Sequence, residues 1–136
     1  MNLVEKLMKI DKGEFDKGKT KKIYSKMLSD AIGEKAYITI QSVNPQEVLD
    51  LTATGLDDEG NQIIEKTLEM NSLITAAGVA DPSLKDEKLL KHLGVPTPAM
   101  AALKLFKGEV NYIAAEVNKM AGFNIDRDDI DEEIKN

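Results

Sequence analysis

Eight residues near the N-terminus have the types and spacing of a phosphate cradle. Gly13-Glu14-Phe15-Asp16-Lys17-Gly18-Lys19-Thr20 matches the pattern G-x-x-x-x-G-K-[ST] at every position. In that pattern backbone N–H groups surround the phosphates, the lysine reaches the β/γ-phosphates and the hydroxyl binds Mg²⁺. The geometry needs a buried strand before the loop and a helix after it. Here the preceding LVEKLMKIDK is a short amphipathic run with no continuous β-branched stretch. Glu14 and Asp16 would set carboxylates beside polyphosphate, and no run of four apolar residues ending in Asp follows to supply a second metal ligand. The nucleotide-binding reading of 13–20 is therefore a minor alternative.

Other reactive groups are sparse. There is no Cys, which excludes disulfide and thiol chemistry and suits a reducing compartment. His92 is the one histidine, next to a helix end, so no zinc site can be written. A triad would need His92 as base, and Ser72 or Ser83 could meet it only by accident of folding. The pairs Asp57/Asp58 and Asp128/Asp129 fall in segments expected to be exposed, where no tuning of acidity is expected. Asp57, Asp58 and Glu59 lack the alternating spacing and distal Glu of a calcium loop, and read as a solvated acidic turn. The expectation is a protein that is not an enzyme and uses no cofactor or metal.

The elements that would carry these groups point to an α+β fold, mainly helical toward the C-terminus, with a small N-terminal antiparallel β-hairpin. At 136 residues the chain reads as one domain with a core of Leu, Ile, Val, Ala and Met, since aromatic content is 4% with no Trp. No apolar h-region and no run near 18 apolar residues is seen, so neither a signal peptide nor a membrane span is expected. The domain is read as 1–123: an arm at 1–21, a hairpin at 22–43 and a helical part at 44–123, followed by an acidic flexible tail at 124–136.

In the arm, Leu3, Val4, Leu7 and Met8 fall at helical spacing, either to dock on the core or to order on a partner. Residues 11–22 read as a charged, glycine-punctuated linker. Residues 22–28 and 36–43 read as strands, with Tyr37, Thr39 and Gln41 on one side and Ile38, Ile40 and Ser42 on the other. Asn44-Pro45-Gln46-Glu47 opens the first secure helix, with Val43 and Val48 as a staple and Val48, Leu49, Thr52, Ala53 and Leu56 as its buried stripe. Helices are expected at 62–77, 84–93 and 98–106, and from Glu109 to near Ala121. Glycines at 78, 94, 108 and 122 mark the stops, and Asp81-Pro82 and Thr97-Pro98 the starts. The tail carries Ile125, Ile130 and Ile134 among six acids, which allows an amphipathic helix or a frayed end.

Charge is uneven: residues 1–35 carry nine Lys against six acids, a balance of +3, and residues 36–136 nine bases against eighteen acids, a balance of −9. The two ends can prefer different partners, or each other. An acidic body argues against nucleic acid as the main ligand.

The run Ala77-Gly78-Val79-Ala80-Asp81-Pro82-Ser83-Leu84-Lys85-Asp86, then Leu89-Leu90, Gly94-Val95-Pro96-Thr97-Pro98, Gly108-Glu109-Val110 and Gly122-Phe123, resembles the XkdN-like phage tail assembly chaperones. The similarity extends over roughly 1–123 and is most specific in 77–98. One departure is Lys107, where many relatives carry proline. The resemblance implies a protein of the host cytoplasm that binds the long tape measure protein, keeps it soluble, helps tail tube subunits assemble around it, and is absent from the mature virion. A minor structural tail component is the alternative. Leu3, Leu7, Met8, Met100, Phe106, Tyr112 and Met120 are the candidate partner-binding residues, and Met8, Met70, Met100 and Met120 could line an adaptable groove or fill the core.

If the letters of 13–20 carry no nucleotide site, calorimetric titration with ATP or GTP and Mg²⁺ gives no heat, for the wild type and for Lys19→Ala alike. Heat that disappears in Lys19→Ala would establish the site.

Overall fold

The structure is a computed structural model that describes residues 1–123. The expected tail at 124–136, with its three isoleucines and the Asp128/Asp129 pair, lies outside the described residues.

Helices and a small sheet share one core. Strand β1 (Thr20–Tyr24) pairs antiparallel with β2 (Tyr37–Gln41), setting Ile23 opposite Ile38 and Tyr24 opposite Tyr37. The alternation expected for 37–41 holds: Ile38 and Ile40 are buried, Tyr37 and Gln41 exposed. On the outer face the Tyr24 and Tyr37 rings meet edge-on, with centroids 5.6 Å apart.

Two features differ from the expected N-terminal hairpin. Residues 26–28 are not strand: α3 (Lys26–Ile32) follows β1 directly. The Ser25 hydroxyl accepts the N–H of Leu28 at 3.1 Å, and Gly33 closes the helix in the left-handed region at φ 80°. These start and stop signals outweigh the β-forming tyrosine and isoleucine before them. The second difference is a third strand, β3 (Val79–Asp81), which pairs with β2 and places Val79 opposite Ile40. The sheet order is β1-β2-β3, so its strands are spread through the chain. Asp81 ends β3 and does not cap a helix; the Asp81–Pro82 peptide is cis.

The other helices run close to expectation. In the arm, α1 (Leu3–Met8) starts where the Asn2 side chain accepts the N–H of Glu5, and α2 (Lys12–Phe15) adds one turn in the expected linker. Helix α4 (Pro45–Ala53) has Asn44 as its cap, but its inward residues are Val48, Leu51 and Thr52; Leu49 and Ala53 face solvent. Helix α5 (Ile64–Gly78) is the longest. Helix α6 (Glu87–Leu93) begins at Asp86, whose carboxylate accepts the N–H groups of Lys88 and Leu89, three residues later than expected. Helices α7 (Pro98–Phe106) and α8 (Val110–Met120) are joined by a tight 3-10 turn at 107–109.

The core lies where α5, α7 and α8 meet the inner face of the sheet. Phe106, Ile113, Val110, Val117, Ile74, Ile38 and Ile40 are essentially inaccessible. Gly78 was expected as a left-handed stop, yet it is the last helical residue of α5 and has no positive φ. Its role is close approach: a Cβ there would collide with the Val117 side chain on α8. The Thr75 hydroxyl donates to the Val110 carbonyl at 3.1 Å and ties the same two helices.

Two polar links fasten β1 and α3 to the helices. Lys21 Nζ reaches Glu116 at 2.8 Å, and Glu116 is only 8% exposed. The Glu109 carboxylate accepts the Ser25 hydroxyl and the N–H of Lys26 at 3.0 Å. Among the described residues, no buried side-chain nitrogen or oxygen lacks a partner.

Gly78→Ala forces Val117 to move in a packed interior and is expected to cost about 1–3 kcal/mol. Urea unfolding checks it: the midpoint should fall while the m value stays constant. An unchanged midpoint would mean that α5 and α8 are not held at this distance.

Candidate partner-binding groove

Helix α5 has two apolar stripes. One, with Met70 and Ile74, faces the core. The other carries Leu68, Leu73 and Ala76 and lines a groove against α4 and α7. Leu51 comes from α4, and Pro98, Ala99, Met100 and Leu103 from α7. Its volume is about 710 Å³. Space opens here because Ala76, Ala77 and Ala99 are small where the helices face each other. Ser72 is the one hydroxyl in the α5 wall, and it donates to the Leu68 carbonyl at 2.8 Å, so it offers no free donor to a ligand. Glu47, Glu65 and Glu69 stand on the rim with Lys85. An apolar floor with a charged rim can take the apolar side of a helix and hold its polar flanks in water.

A second hollow, of about 480 Å³, is lined by Phe15 to Lys19, Ser42 to Pro45, Met120 and Ala121. Phe15 to Lys19, part of the segment that matches the phosphate-binding pattern, line it, but their setting is different. A one-turn helix precedes Lys19-Thr20 and strand β1 follows, so the order is helix, loop, strand. The Lys19 N–H donates to the Ser42 hydroxyl at 3.0 Å, and the Ser42 N–H donates to the Lys19 carbonyl at 2.9 Å. That amide extends the sheet and does not face an anion.

In the acidic turn, the Asp57 carboxylate accepts the N–H groups of Asn61 at 2.8 Å and Glu59 at 2.9 Å. The Asn61 backbone bond is the largest cause holding the Asp57 carboxyl below its ordinary value, with the bond from Glu59 adding to it. Asp57 thus organises its own loop. Among the described residues, no group of three or more His, Asp or Glu is placed to hold a metal ion.

The seven candidate partner-binding residues are dispersed. Met100 lies in the groove and is 49% exposed. Leu3, Leu7 and Met8 lie on α1, all exposed, and none of them docks on the core. Tyr112 is exposed on α8, and Met120 is partly buried beside the second hollow. Phe106, in the last turn of α7, is fully buried in the core, and it presents nothing to a partner. Leu51, Leu68, Leu73 and Leu103 were missed. For Leu68 and Leu73 the signal is the second stripe on α5, where Leu68, Ser72, Leu73 and Ala76 recur at helical spacing beside the core-facing set.

Among the described residues, no helix is long and apolar enough to cross a membrane.

Comparison with known proteins gives two likenesses. A family model described as phage XkdN-like tail assembly chaperone protein matches residues 4–135. The crystal structure of the protein yqbn is similar with a TM-score of 0.53 at 11% identity, covering 77% of this chain and 87% of that one. At that identity the likeness is one of fold. No curated protein matches the chain.

Groove and core residues should separate in stability. Phe106→Ala empties the core and should cost about 3–5 kcal/mol. Met100→Glu, on the half-exposed groove wall, should stay within about 0.5 kcal/mol of the wild type. Denaturant unfolding of the two variants reads the difference, and comparable losses would place Met100 in the core.

Proposed function

The chain belongs to the phage XkdN-like tail assembly chaperone family, matched over residues 4–135, and from this we propose that it binds the tape measure protein and keeps it soluble while tail tube subunits assemble around it. The observation that carries the reading is the groove between α4, α5 and α7, apolar on its floor and acidic on its rim. A tape measure protein is a long, helical and apolar client. One helical turn of such a client laid on Leu51, Leu68 and Met100 would remove apolar area from water on both partners. Methionine suits this task because its unbranched chain repacks around successive, unequal segments of a long client.

The work is done by contact area. No bond is made or broken, no cofactor takes part, and a net charge of −6 keeps nucleic acid away. The protein acts in the host cytoplasm and leaves before the particle is finished. The opposing reading, a minor component that stays in the virion, has no specific feature in its favour.

Co-expression with the tape measure protein of the same phage tests the proposal. The tape measure protein should move into the soluble fraction with the wild-type chain, and return to the pellet with the folded double variant Leu68→Glu/Met100→Glu. Equal insolubility with and without the chain would end the proposal. Rescue by the double variant would move the contact away from the groove.

A further inference from the structure

The end of α8 brings the C-terminal segment to a hollow whose charge balance is opposite to its own. Gly122 takes the left-handed region at φ 94°, and the Phe123 N–H returns to the Asn118 carbonyl at 2.9 Å. Residues 124–136 therefore continue from the last turn of α8. Met120 and Ala121, at that same end, line the hollow of about 480 Å³. Asn124 is three positions past Ala121, a span of at most about 10 Å.

Charge separates the two concavities. The hollow is lined by Lys17 and Lys19 against Asp16, and the groove by Glu47, Glu65 and Glu69 against Lys85. Among the described residues, neither Lys17 nor Lys19 pairs with a carboxylate. The segment itself holds Asp126, Asp128, Asp129, Asp131, Glu132 and Glu133 against Arg127 and Lys135. The hollow attracts such a segment and the groove repels it.

The hollow also has apolar area that the described residues leave in water. Phe15, at the end of the one-turn α2, is 58% exposed; Pro45 is exposed and Met120 half-buried. Ile125, Ile130 and Ile134 are the apolar groups within reach to cover them. We infer that residues 124–136 occupy this hollow in their own molecule, with isoleucines against Phe15, Pro45 and Met120 and carboxylates beside Lys17 and Lys19. Attachment at the rim gives the segment a local concentration on the order of millimolar, so a contact too weak to hold two separate molecules suffices. The base of the N-terminal arm is thereby held against the end of α8, and the basic and acidic ends of the chain are joined. An acidic partner must displace the segment to reach Lys17 and Lys19. The inference concerns the chain alone and does not rest on the tail-assembly reading.

NMR relaxation on the full chain tests it, read as backbone order parameters of the Ile130 and Ile134 amides. Unchanged core amide signals show that each variant is folded. In the wild type the order parameters should lie above about 0.6, the range of a held backbone, at every protein concentration. Lys17→Glu/Lys19→Glu in the hollow should drop them below that value, and Leu68→Glu/Met100→Glu in the groove should leave them high. Asp128→Lys/Asp129→Lys should also drop them, and joining it to Lys17→Glu/Lys19→Glu should restore them, because the attraction is rebuilt with its signs exchanged. Low order parameters in the wild type overturn the inference. So does order that survives Lys17→Glu/Lys19→Glu or is lost in the groove variant. Order that vanishes on dilution overturns it too, since a second copy would then hold the segment.

Discussion

Helix α5 can lie against α8 only because residue 78 has no side chain. A Cβ there would strike Val117, and that single contact sets how closely the two helices approach. The rest of the architecture hangs on this approach. Gly78 is followed without a loop by Val79, the first residue of β3, so the position of α5 fixes where the third strand meets β2. The sheet is thereby seated on the helices, and Ile38 and Ile40 turn inward against the core. The opposite side of α5 is then left to face α4 and α7, where the alanines leave the groove.

Much of the helical half could be read in the residues. Asn44-Pro45 and Thr97-Pro98 start helices as their chemistry requires, and Val110, Ile113, Ala114 and Val117 form a buried stripe at the expected spacing. The readings that failed did so where tertiary contacts outweighed local pattern. Val79-Ala80-Asp81 is too short to show alternation, and its partner strand lies far back in the chain. Residues 26–28 look β-forming until Ser25 and Gly33 are seen as the two ends of a helix, and the Glu109 carboxylate that steadies Ser25 comes from the other half of the chain. The phosphate-binding pattern at 13–20 is followed by a strand, where such a site needs a helix.

The candidate site was less legible than the fold. Composition and periodicity tell which side chains are apolar, and only packing tells which of them the core consumes. Phe106 and Met100 lie on the same helix six residues apart; one is the fully inaccessible centre of the core and the other a half-exposed groove wall. Periodicity did place Leu3, Leu7 and Met8 together, and the structure leaves that stripe facing water. Such an unsatisfied stripe is more informative than a buried one, because a chain that keeps four large apolar side chains exposed on six residues must cover them by other means.

Lys107 turns the corner between α7 and α8 at φ 53°, a region that favours glycine and that proline, held near −65°, cannot enter. Its neighbours Phe106 and Val110 are both fully inaccessible, so the helices dictate the corner and the corner does not dictate the helices. Lys107 and Gly108 themselves face solvent. A reporter peptide spliced between them would relax the torsion at Lys107 and leave both helix ends anchored from within. The same bend is thus the natural place to open the chain and give it new termini.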